Sequence, residues 1–128
     1  MSKLLAQGGY GCIFKPGVYC SGDIHTDQYV SKLAVYDAAA KNELLTSYKI
    51  KHLINYKHFF VPVQSFCFVD TGVMKNTLEL DKCNIYKRKK EKQFVLMKLD
   101  YLNSTSIHNF FINYKETIGN NVLIYIIL

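Results

Sequence analysis

A chain of 128 residues fits one domain, and 49% hydrophobic against 20% charged residues excludes a disordered polymer and permits a buried core. The net charge of +6 is carried almost wholly by lysine, with Arg88 the single arginine, and it favours anionic partners without setting the fold. The apolar run from Val122 to Leu128 is too short to span a bilayer, so no membrane partner is expected. Cys12, Cys20, Cys67 and Cys83 contain no C-x-x-C pair, and the N-terminus lacks the long apolar run of a secretory leader, so none is expected. Reduced thiols in an intracellular compartment are therefore expected. Zinc through Cys20 and His25, with His52 or His58, fits no standard finger spacing, and no metal site is expected.

Taken in chain order, Lys3 to Ala6 reads as a short strand and Cys12 to Lys15 as its hairpin partner, ended by Pro16-Gly17. Val18 to Asp27 lacks periodicity and reads as a loop. Gln28 to Val35 alternates and is partly β-branched, which predicts a strand. Asp37 is a suitable N-cap for the helix-forming run Ala38-Ala39-Ala40-Lys41-Asn42-Glu43-Leu44-Leu45, expected to reach about Lys51. On that helix Ala40, Leu44 and Tyr48 form the expected apolar stripe. Val63 to Val69 is the next strand, and Asp70 to Lys92 reads as a polar connection with room for a hairpin extension. Its run Lys87-Arg88-Lys89-Lys90-Glu91-Lys92 reads as a solvated flank rather than a nucleic-acid patch. Phe94 to Leu99 is a compact apolar strand. A helix capped by Ser104 or Ser106 is expected to run through Tyr114, and after the break at Gly119-Asn120-Asn121 the stretch Val122 to Leu128 is expected to open another.

The stretch from Leu5 to Lys15 carries the chemistry. Gly8, Gly9 and Gly11 put three glycines in four positions between two apolar segments. Glycine lets main-chain N–H groups approach a ligand, and phosphate is the usual anion for such donors. No Gly-Lys-Ser/Thr follows, so it is not a P-loop. Phe14 stands where a dinucleotide fingerprint needs its third glycine. The remaining template is G-x-G-x-x-G-x-V, with Ala6 in the first glycine position, Gly8 in the second, Gly11 in the third and Ile13 for the valine. Tyr10 then sits at the loop tip.

Further features stand in the order of a protein-kinase N-terminal lobe. Tyr29-Val30-Ser31-Lys32 lies where V-A-I-K is found, and Glu43 is on the following helix. Met97 ends Phe94-Val95-Leu96-Met97 as a bulky gatekeeper, with Lys98-Leu99-Asp100 as the hinge. The chain resembles the serine/threonine protein kinases of large DNA viruses, which carry a similar Gly-Gly-Tyr-Gly-Cys-[Val/Ile]-Phe-[Lys/Arg]-Pro loop and a Val-Ser-Lys strand. Gly8 to Pro16 and Val30-Ser31-Lys32 match that variant.

The resemblance implies an α+β, kinase-like N-lobe over residues 1–128: a twisted antiparallel sheet of about five strands, one main helix and the hinge in 1–103, and the start of C-lobe helices in 104–128. It implies a nucleotide partner, ATP, held by Ala6, Gly8, Gly9, Tyr10, Gly11, Ile13, Lys32, Glu43, Met97, Lys98 and Asp100, with the last two contributing hinge backbone groups. The catalytic loop H-R-D-L-x-x-x-N and the D-F-G metal site are absent from this sequence. Asp70-Thr71-Gly72 precedes the hinge strand and reads as a turn. No catalytic residue is therefore expected here, and magnesium is expected only with a C-lobe. A truncated or degenerate kinase lobe follows, with a protein substrate or a missing C-lobe as further partners and the host cytoplasm or a virion as its place. The alternatives are a non-catalytic protein-interaction module and a basic nucleic-acid-binding domain.

Overall fold

The computed structural model describes residues 1–23, 27–89 and 91–102. Alternating and β-branched segments become strands β1 (Lys3–Gly8), β2 (Gly11–Lys15), β3 (Tyr29–Val35), β4 (Ser65–Val69) and β5 (Phe94–Asp100). They form one five-stranded sheet in the order β1-β2-β3-β5-β4, and every neighbouring pair is antiparallel. The main helix α1 (Ala38–Ile50) connects β3 to β4, which makes the fold α+β. Asp37 caps it as expected, its Oδ1 accepting from the Ala40 N–H at 2.9 Å. No described helix is long and apolar enough to cross a membrane.

Side chains alternate between the sheet's two faces, and each face has its own apolar cluster. On one face Ala34, Val95 and Met97 meet Ala40 of α1 and Val63. The inward stripe of α1 differs from the expected one. Tyr48 is 62% exposed, whereas Ser47 is buried and Leu44 is half-buried. The difference has a polar cause: Ser47 Oγ accepts from the Val63 N–H at 2.8 Å, turning that side of the helix inward. Lys51 Nζ donates to the Gln64 carbonyl at 3.0 Å one turn later.

The other face corrects the reading of residues 70–92. Among the described residues of that stretch no hairpin forms. The segment folds into α2 (Thr71–Met74), a 3-10 turn (Leu80–Lys82) and α3 (Asn84–Arg88), so Lys87 and Arg88 finish a short helix. Met74, Leu78, Leu80, Cys83 and Ile85 are buried against Cys12, Phe14, Leu33, Phe94 and Leu96 of the sheet. The segment is polar on average, yet most of its apolar side chains face the sheet, with Val73 the exposed exception. Asp70-Thr71-Gly72 is a turn put to use, with Asp70 Oδ1 accepting from the Gly72 N–H at 2.9 Å to cap α2.

The same segment closes the edge of β1. Ser2 N donates to the Thr77 carbonyl at 2.7 Å, and Glu79 Oε1 accepts from the Leu4 N–H at 2.9 Å. That backbone hydrogen bond, helped by Lys82 Nζ at 3.1 Å, holds the Glu79 carboxyl below the usual glutamate range.

The expectation of reduced thiols is also corrected. Cys12 is bonded to Cys83 and Cys20 to Cys67, with Cα separations of 6.0 and 6.1 Å. Partners 71 and 47 residues apart meet only because the 70–89 segment and the 18–23 loop fold back onto β2 and β4. The pairing removes Cys20 from any zinc set, and His25 lies outside the described residues. Among the described residues no group of three or more metal-capable side chains occurs. The expected helices after residue 103 also lie outside the described residues.

Candidate functional site

Strand register gathers residues far apart in sequence into one line. Ala6 pairs with Ile13, Ile13 with Lys32, Lys32 with Met97 and Met97 with Phe66. Directly opposed residues of an antiparallel pair share a face. One row on the α1 side of the sheet thus carries four of the residues singled out above: Ala6, Ile13, Lys32 and Met97. Met97 is fully buried, Ile13 is half-buried and Ala6 is exposed.

At the end of that hairpin, Gly8 and Gly11 pair across the two-residue turn Gly9-Tyr10. Tyr10 is 77% exposed at its tip. Gly11 is where the backbone needs glycine. Its φ is +153°, and a Cβ there would stand 2.6 Å from the Leu33 carbonyl oxygen and 3.3 Å from Lys32 Cε. Close passage of β2 over β3 therefore depends on the missing side chain, and it brings the turn down onto the Lys32 stem.

Lys32 leaves the middle of β3 toward α1. Its Nζ lies 2.7 Å from Glu43 Oε2, and the two side chains are 18% and 35% exposed. The carboxylate is presented by the second turn of α1, whose start is fixed by the Asp37 cap. A cavity of ≈ 280 Å³ opens beside the pair, between the glycine turn and the first turn of α1. Gly9, Tyr10, Lys32 and Glu43 line it, and so do Asp37 and Lys89. The last two were not recognised in the sequence as site residues. Asp37 carried a clear signal for a cap only. Lys89 stood in a basic run with nothing to tie it to the glycine turn, because that tie is made by α3.

The residues expected to form a hinge lie in β5. Lys98 pairs with Ser31 and with Ser65, its carbonyl accepts from the Gln64 N–H at 2.8 Å, and its Nζ lies 4.0 Å from the Tyr29 ring centroid on the other face. Pairing with β4 stops at Lys98, and Asp100 pairs only with Tyr29 of β3. The backbone of residues 99 and 100 thus has one side not used by the β4 ladder.

The arrangement puts a lysine ammonium, held by a carboxylate, under a turn whose glycines can bring main-chain donors close to an anion. No protein-family model, no curated protein and no solved structure matches the chain.

Proposed function

We propose that this chain binds ATP as the N-terminal lobe of a serine/threonine protein kinase. The observation that carries the reading is the 2.7 Å Lys32–Glu43 pair beneath the glycine turn. It is supported by the strand order β1-β2-β3-β5-β4 with a helix between β3 and β4, which is compatible with such a lobe. In this reading the Lys32 ammonium holds the α- and β-phosphates, and Glu43 keeps its long stem from swinging to solvent. Main-chain N–H groups of Gly8 to Gly11 follow the phosphates from above. Adenine lies along the row of Ala6, Ile13 and Met97, with the hinge backbone of Lys98 to Asp100 at its edge. Because the Lys98 carbonyl already serves Gln64, the unpaired side of the strand beyond it carries more of that hinge contact.

The test is nucleotide-dependent thermal stabilisation of the purified chain beside Lys32→Met. The substitution removes a charge at a partly exposed site and no core side chain. The expected result is an unliganded melting temperature within a few degrees of the natural chain and loss of the ATP-induced rise. Equal stabilisation of both proteins would refute the reading.

A second reading has one observation in its favour. Phe66 and Phe68 of the edge strand β4 are 48% and 54% exposed and pack edge to face, with ring centroids 6.3 Å apart. An apolar surface of that kind suits a protein partner, whether or not nucleotide is bound.

A further inference from the structure

The cavity beside the Lys32–Glu43 pair extends past the pair to a second cation, Lys89. Four charged side chains line it, and three are already committed. Lys32 and Glu43 satisfy each other at 2.7 Å. The Asp37 carboxylate accepts from the Ala40 N–H at the positive end of α1. Lys89 is exposed, and among the described residues no carboxylate pairs with it. The four formal charges cancel, and Lys89 is the one cation lining the cavity without a carboxylate partner among the described residues.

Lys89 is also held in place relative to the glycine turn. Cys83 immediately precedes α3 and is bonded to Cys12, the residue after Gly11. Ile85, on the first turn of α3, is buried and lines the same cavity. α3 is thus tied to the strand that leaves the turn, and Lys89 follows directly on its last residue, Arg88. At that point Lys89 lines the cavity, bringing a cation to its edge.

We infer that Lys89 is a second phosphate-binding residue, which takes the terminal phosphate of a nucleoside triphosphate after it passes Lys32. The assignment rests on the nucleotide-binding reading above and adds a direction to it: the phosphate chain runs from the Lys32 row toward the gap between the turn tip and α3. The ligand class follows from the charges. A monophosphate satisfied at Lys32 does not extend to Lys89, whereas a triphosphate carries further negative charge to meet it.

The experiment measures affinity by isothermal titration with ATP, AMP and inorganic tripolyphosphate. It compares the natural chain with Lys89→Ala, Lys89→Glu and Lys87→Ala. Lys87 makes the last variant a control, since it carries the same charge in the last turn of α3, two residues before Lys89, and does not line this cavity. Unliganded melting curves check that each variant is folded. Lys89→Ala should weaken ATP and tripolyphosphate by about three- to tenfold, in keeping with one partly solvated charged contact. Lys89→Glu should weaken them more, AMP should bind all variants alike, and Lys87→Ala should match the natural chain. Unchanged ATP affinity in Lys89→Ala overturns the assignment and leaves the nucleotide reading standing. So does an equal loss for AMP, or an equal loss in Lys87→Ala. If neither ATP nor tripolyphosphate binds the natural chain, both readings fall together.

Discussion

At the scale of single residues, two glycines of one turn have different duties. Gly11 sits where a Cβ would come within 2.6 Å of the Leu33 carbonyl oxygen, a backbone atom of the neighbouring strand that cannot swing aside. Around Gly8 an added Cβ meets nothing within 4 Å. Gly11→Ala should therefore cost about 1–3 kcal/mol of folding stability through strain in the β2–β3 pairing. It should also push on the Lys32 stem and weaken nucleotide binding. Gly8→Ala should fold almost as well as the natural chain and affect binding alone, if it affects anything. Denaturation midpoints of the two variants decide the matter, and equal stability would show that β2 can lift off β3 without loss. The difference between the two was not visible in the sequence, where both are glycines of one motif. It arises from register, which places Cys12 opposite Leu33 and so brings Gly11 against the Leu33 carbonyl at the end of the β2–β3 pairing.

At the scale of elements, the 70–89 segment does what the sequence did not announce. Its buried side chains, Met74, Leu78, Leu80, Cys83 and Ile85, are spaced four, two, three and two residues apart. Neither a strand period nor a helix period fits that spacing, and pattern reading finds only a polar connection. The strands and α1 were legible because each has a local signal: β-branched and aromatic residues in Tyr29 to Val35, a cap and an alanine run from Asp37. Even there, spacing alone could not tell Ser47 from Tyr48 as the inward residue, since the choice is made by the distant Val63 N–H. The disulfides lie further beyond local signals, with 71 and 47 residues between partners. Loop-closure entropy puts each such bridge at about 4 kcal/mol, with the overlap of the two loops making the sum smaller. Cys12–Cys83 ties the layer formed by 70–89 to the sheet. Reductant should accordingly lower the melting temperature substantially, and Cys12→Ser paired with Cys83→Ser should reproduce most of the fall. An unchanged melting curve, alongside free-thiol titration confirming complete reduction, would show that the buried apolar contacts hold that layer unaided.

At the scale of the whole molecule, the sheet separates two kinds of work. The face covered by 70–89 is nearly all apolar and holds the strands in register. The face toward α1 has a smaller apolar cluster, the Lys32–Glu43 pair and the cavity. A binding site on one face of a sheet touches one side of a nucleotide, and a ligand half open to water gains less than one enclosed in a pocket. Phosphoryl transfer demands more than binding. It needs a carboxylate to orient the acceptor hydroxyl and a metal site to neutralise charge on the transferring phosphate. The sequence has neither H-R-D-L-x-x-x-N nor D-F-G. The carboxylates that line the cavity are Glu43, held by Lys32, and Asp37, occupied in capping α1. The nearest sequence look-alike, Asp70-Thr71-Gly72, spends its carboxylate on the start of α2. The 128-residue chain should therefore bind ATP weakly and transfer no phosphate by itself. Incubation of the purified chain and Lys32→Met with radiolabelled ATP and a generic protein substrate tests this. Transfer above background by the natural chain, lost in the variant, would mean that Asp37 or Glu43 leaves its present partner during the reaction, or that a residue outside the described segments supplies the missing carboxylate. A label count equal in both proteins and in a protein-free control is the expected outcome. With an ATP-induced rise in melting temperature seen only in the natural chain, that result would separate the binding half of the chemistry from the transfer half.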